Sequence, residues 1–198
     1  MPCRPLLGIS LLAALLGGCA TVVRPPQGVR DPVTVYLLDH GRTSSLVLPA
    51  DDGGRRYAYG DWDWYALRRT GFLSGAKALL TPTQGALGRE HLHAPAAAPS
   101  ELAPATPRPL TSVHVENQYA IVVERERASQ LRARLDAVVD GAPRQHDTPE
   151  VGLHFVPCRP PYTALHNSNH VTARWLSDLG ASIRGPAAFS VWRVNPPR

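Results

Sequence analysis

Short apolar stretches recur along this chain, and their period switches between about two and about 3.6 residues. "VTVYLL" (33–38) is β-branched and apolar, which predicts a buried strand. "TSSLVLP" (43–49) predicts a second strand, joined to the first as a hairpin through a turn at His40–Arg42. "DDGGRR" (51–56) predicts the next turn. "YAYGDWDWYAL" (57–67) reads as a short strand passing into a helix that starts near Asp61. "FLSGAKALL" (72–80) predicts a helix, which "TPTQGALG" breaks, and the Ala/Pro-rich segment 94–109 predicts a long loop. "NQYAIVVE" (117–124) predicts a strand. "RERASQLRARLDAVVDG" (125–141) predicts a helix with Leu131, Leu135, Val138 and Val139 on one face and Gly141 as its stop. "GLHFVP" predicts a strand, 168–179 a helix, and "AFSVWRV" (188–194) a last strand. Strands and helices mix without strict alternation, so the expected class is α+β, an antiparallel sheet packed against helices.

The first residues follow another pattern. "MPCRP" carries one positive charge, Arg4, and "LLGISLLAALL" is an apolar run short for a bilayer span but suited to a signal-peptide core. It ends in "LGGC", Leu16 to Cys19, the arrangement of a bacterial lipoprotein cleavage site. The small residues pass through a peptidase site and the Cys thiol takes the lipid. The expected organisation is a signal peptide at 1–18, a lipidated Cys19 with a linker to residue 31, and one domain over 32–198. Acyl chains would then tether the body to the membrane, and more than one chain is needed for stable anchoring. Ala rather than Asp at position 20 resembles Gram-negative lipoproteins of the outer membrane, facing the periplasm.

Composition adds exclusions. With the leader removed, one thiol remains, Cys158, so no intrachain disulfide is available to the domain. The net charge of +5 comes from scattered arginines, without the block or stripe that a nucleic-acid surface needs, and no nucleic-acid partner is expected.

Candidate chemistry centres on "HNSNHVTARWLSDLG" (166–180). Val171, Trp175, Leu176 and Leu179 share a core-facing stripe, and Asn167 or Ser168 suits the N-cap. A helix N-terminus also offers free amides and partial positive charge. A cysteine there ionises readily, but a serine needs a base within hydrogen-bond reach. His40, His166 and His170 are the imidazoles to consider. His170, about 200° round the helix from Ser168, is poorly aimed.

Three segments in order resemble an uncharacterised proteobacterial lipoprotein family related to circularly permuted NlpC-type papain-like peptidases. They are "HGRTSSLVL" (40–48), "YGDWDWYAL" (59–67) and "YTALHNSNHVTARWLSDLG" (162–180). They are similar to the family's HGWHTGIVL, GWGDxxFY and YxLxxTCNTWxxxALxxAGL, and the resemblance spans nearly the whole mature chain. It implies a permuted papain-like fold in which a Cys at the helix start is the nucleophile and a strand His is the base. Those positions fall on Ser168 and Thr43, so both chemical groups are replaced, while His40 matches the family's first His.

Two expectations follow. One is a degenerate, lipid-anchored protein that binds peptidoglycan, another envelope component or a partner in the former groove, with Thr43, Asp61, Trp62, Asn167, Asn169 and His170 as groove residues. The other is a Ser-dependent amidase, peptidase or acyl transferase on envelope amides or esters, with Ser168 as nucleophile and His40 as base. Asp61 is also expected to cap its helix, Trp64 and Tyr65 to fill core, and Trp62 to be exposed as a ligand contact. His91 and His93, or His166 and His170, have spacings some metal sites use, but no Cys or Glu completes them, so neither metal nor cofactor is expected.

Overall fold

The computed structural model describes residues 20–70, 81–93, 111 and 113–195. The expected leader and Cys19, the helix at 72–80 and the loop at 94–109 lie outside the described residues.

The fold is mixed α+β, with an antiparallel sheet packed against helices. Seven strands make one sheet in the order β6-β2-β3-β4-β5-β8-β7. They are β2 (Pro32–Asp39), β3 (Ser44–Ala50), β4 (Gly53–Asp61), β5 (Thr83–His93), β6 (Asn117–Glu124), β7 (His146–Thr148) and β8 (Leu153–Tyr162). Helices α1 (Arg125–Asp140) and α2 (Ser168–Asp178) cover one face. Their stripes, Leu131, Leu135 and Val139 from α1 and Val171, Trp175 and Leu176 from α2, meet Leu37, Leu46, Leu48, Tyr57 and Ile121 from the sheet. Full burial of each such aliphatic chain contributes about 1.5–3 kcal/mol. Val138, expected on the buried stripe, is 40% exposed. The opposite face is covered by a smaller cluster in which Trp62 and Ala66 pack on Ala86, Leu153 and Phe155.

Three differences from the sequence expectations have local causes. The turn expected over 51–56 shrinks to its first residues, because Gly53–Arg56 already pair with His93, Leu92, His91 and Glu90 as part of β4. The central strand β5 is masked by its glycines: a Cβ at Gly88 would lie 2.7 Å from the Phe155 ring, so the aromatic occupies the place of the missing side chain. Residues 62–66 form a π-helical turn rather than an ordinary helix, the Leu67 amide donating to the Trp62 carbonyl at 3.0 Å.

The expected linker is also corrected in part. Thr21–Arg24 is a strand, β1, central in a second sheet of order β10-β1-β9. It runs parallel to β10 (Trp192–Val194) and antiparallel to β9 (Ser182–Arg184). Thr21 and Val23 are wholly buried, and Val23 and Trp192 belong to the main core. The alternation in "TVVR" is too short to separate strand from linker by sequence. The expected last strand, 188–194, is confined to its end.

Val23→Ala tests β1 as core rather than tether. It is expected to lower unfolding stability by about 2 kcal/mol in urea titration. A change within a few tenths of a kcal/mol would return this segment to a linker.

Candidate functional site

The start of α2 is built by two asparagines. The Asn167 side-chain oxygen accepts the backbone amides of Asn169 at 3.0 Å and His170 at 3.2 Å, so Asn167 is the N-cap. It also accepts the His170 ring at Nδ1, 2.9 Å away, which puts a proton on that nitrogen. Its amide nitrogen donates to the carbonyls of Ala164 and Ala188, tying two loops to the helix. Asn169 is buried. Its oxygen accepts the Ser44 hydroxyl at 2.9 Å, and its nitrogen donates to the Arg42 carbonyl at 3.1 Å. The β2–β3 hairpin is thereby docked on the helix start. Asn167, Asn169 and His170 are spent on this junction.

Ser168 is 3% exposed, and no imidazole or carboxylate hydrogen-bonds its hydroxyl among the described residues. His40 turns elsewhere. Its Nε2 lies 2.8 Å from the Ser45 hydroxyl and its Nδ1 2.8 Å from the His114 carbonyl. The carbonyl can only accept, so Nδ1 carries the proton. Burial lowers the His40 pKa and favours the neutral ring, whose Nε2 lone pair then accepts from Ser45. The expected Ser168–His40 pair is therefore not formed. The reason is strand alternation. Ser44 shares the helix-facing side with Leu46 and Leu48, whereas Ser45, opposite Ala58, looks to the other side of the sheet. His40, bonded to Ser45, goes with it.

On that side lies a cavity of about 170 Å³. Thr43 and His40 line it with Arg56 and Tyr65, and Val113, Leu153 and Phe155 make its apolar wall. Ser168 does not line it. The Thr43 hydroxyl has no hydrogen bond among the described residues. Arg56 is buried, its Nε donating to Glu90 at 2.5 Å and its Nη2 to the Val151 carbonyl. Glu90 also accepts from Thr111 at 3.1 Å.

No protein-family model, curated protein or solved structure matches this chain.

The remaining expected site residues are structural. Asp61 does cap the π-helical turn, accepting the Trp64 amide at 2.7 Å, and it also accepts the Thr83 hydroxyl. Trp62, expected to be exposed, is 3% exposed, with the Arg144 guanidinium 4.6 Å from its ring centre. The five-residue turn points Trp62 inward and leaves Trp64 at the half-buried rim. Cys158 lines a second cavity, against Tyr59, His166 and Trp175, and burial pushes its thiol up to about 12, so it stays protonated and inert. Among the described residues no cluster of three or more His, Cys, Asp or Glu is placed to hold a metal ion. Sequence reading passed over Ser45 and His114. The run "TSS" after a His was its only trace.

Asn169→Ala is expected to lower stability by about 1–3 kcal/mol, because it strands the Ser44 hydroxyl and the Arg42 carbonyl, while Ser168→Ala changes it by less than about 1 kcal/mol. Denaturant titration of the two variants gives the ranking, and the reverse order would place the junction on Ser168. His40 has a second consequence. Its folded pKa lies below the ordinary value, so the unfolded chain binds the proton more readily. The neutral ring's contribution is complete above about pH 6.5 and is lost as pH falls below that. The unfolding midpoint is expected to drop between pH 7 and pH 5, and His40→Gln to flatten that slope.

Proposed function

We propose that this chain is a lipid-anchored protein of the bacterial outer membrane, facing the periplasm, whose permuted papain-like domain binds an envelope component without turning it over. The leader pattern ending in Cys19 supports the anchor. The ordered segments at 40–48, 59–67 and 162–180 support the relationship to NlpC-type peptidases, and the Ser44–Asn169 junction agrees with it.

One observation favours binding over catalysis. Both nitrogens of His40 are committed to Ser45 and His114, and Ser168 is buried with no base bonded to it among the described residues. Loss of a base within reach removes general-base activation, without which a serine hydroxyl is a poor nucleophile at neutral pH. What remains suits recognition. The cavity beside Thr43 is apolar and takes a compact group about the size of a benzene ring. The Thr43 hydroxyl at its wall, without a hydrogen bond among the described residues, offers one donor and acceptor for orientation. A peptidoglycan fragment with a small apolar side chain is the ligand class we favour.

The full-length protein in detergent, treated with a fluorophosphonate, is expected to show no adduct at Ser168 by mass spectrometry. Muropeptides should bind both it and Ser168→Ala alike. Thr43→Trp, which fills the cavity, should weaken binding tenfold or more, about 1.4 kcal/mol. An adduct at Ser168 that depends on His40 would establish the hydrolase instead.

A further inference from the structure

Five large apolar side chains are exposed among the described residues; Val122 on β6 and Val138 on α1 stand apart, and the other three have backbones tied together. Leu165 is 85% exposed, Phe189 61% and Val191 46%. Leu165 and Phe189 each follow a residue whose carbonyl accepts from the single Asn167 amide nitrogen, Ala164 at 3.3 Å and Ala188 at 3.1 Å. The two side chains therefore spring from backbones pinned to one atom. Val191 joins them through Thr21, whose amide donates to its carbonyl at 2.8 Å. The Thr21 hydroxyl in turn accepts the Ala187 amide at 3.1 Å.

Thr21 is also where the chain enters the fold. Ala20 is buried, and its carbonyl lies where a Cβ on Gly185 would stand, 2.3 Å away. The residue before Ala20 is Cys19, one Cα–Cα step of about 3.8 Å away. A lipid on Cys19 would therefore sit one residue before Ala20 and two before Thr21, which holds the loop bearing Phe189 and Val191.

Charge completes the picture. In the three-stranded sheet Val22 pairs with both Arg184 and Arg193, so all three point to one side, and alternation along β1 adds Arg24. This side is turned away from the core, which takes Val23 and Trp192 instead. Arg184 and Arg193 are exposed, and none of the three arginines makes an ion pair or side-chain hydrogen bond among the described residues. Val191 immediately precedes β10 and is exposed, like Arg193 two residues on.

We infer that this face, Leu165, Phe189 and Val191 with Arg24, Arg184 and Arg193, lies against an anionic phospholipid surface and fixes the orientation of the domain on its membrane. The inference rests on the lipid anchor at Cys19 proposed above. Apolar side chains that enter the interface and arginines that meet headgroup phosphates are the two contributions peripheral proteins combine. A single anchor on a flexible tether would leave the domain free to tumble. Here the anchor and the face coincide, so the cavity beside Thr43 keeps one height and direction relative to the bilayer.

The test uses the full-length protein, expressed with its own leader, purified from membranes and returned to vesicles. In a Cys158→Ser background, an environment-sensitive nitrobenzoxadiazole dye is placed through Phe189→Cys or, as control, Asp52→Cys. Asp52 lies in the turn at the far end of β3 from the Ser44–Asn169 junction. On phosphatidylethanolamine/phosphatidylglycerol vesicles the dye at 189 is expected to shift to the blue and brighten, and the dye at 52 to stay as in water. Arg184→Gln with Arg193→Gln should lower the docked-to-free ratio about 30-fold, from about fivefold per arginine, with no loss of anchoring. Equal exposure of both dyes in anchored protein overturns the inference. So does a shift at 189 that is unchanged on neutral phosphatidylcholine, or one seen in native membranes but not in pure lipid, which would point to a protein partner. Mass spectrometry of the same preparation separates the two levels: an unmodified Cys19 in soluble protein removes the anchor reading itself, and the docking with it.

Discussion

The first turn of α2 presents backbone amides that find no partner within the helix, and it does so inside the protein rather than at its surface. Buried amides must be paired or the helix cannot start there. Asn167 meets that demand with its oxygen and has an amide nitrogen left over, which it gives to carbonyls from two separate loops. Asn169 does the same one step further in, joining the helix to Ser44 and Arg42. A carboxylate could cap the helix but could not donate to the loops. The side-chain amide, donor and acceptor at once, is the group this junction needs. The placement of the hairpin, of the 163–166 turn and of the 185–190 loop all depend on it.

The sheet then divides the chemistry between its faces. The helix side is dry core, with hydroxyl and amide groups satisfied by one another. The other side holds His40, Ser45 and the buried Arg56–Glu90 pair around an apolar cavity. Such a pair is costly to desolvate and costly to break. Its presence beside His40 also disfavours the imidazolium, since Arg56 is among the groups that lower the ring's pKa, after burial. A neutral histidine fixed in one tautomer by a backbone carbonyl is a rigid wall element, with its proton already placed.

Much of this was legible in the sequence, where period was strong and local. The strands at 33–38, 43–49 and 117–124 and the helices at 125–140 and 168–178 read directly, because each buries a stripe set by its own residues. β5 did not, because its glycines are explained only by an aromatic ring from β8. β1, β7 and β9 did not, because strands of three or four residues carry too few positions to show alternation. At the site, the pairing was not legible, since His40 bonds Ser45 rather than Ser168. His40, Ser168, Thr43 and Asn169 all sit near the α2 start or the hairpin turn, yet which face a turn histidine chooses depends on backbone angles that letters do not give. Trp62 failed for a similar reason, since a π-helical turn rotates its side chains by an amount no ordinary helical wheel anticipates.

The second sheet joins the beginning of the described chain to its end. β1 opens the described residues, and both of its neighbours, β9 and β10, lie near their far end. Until those arrive, Val23 has no partner and both edges of β1 stay open. A polypeptide cut short before residue 182 would retain the residues of the large sheet and both helices but would leave β1 without either of its partners. Both edges of β1 would then be open templates on which the strands of another chain could pair.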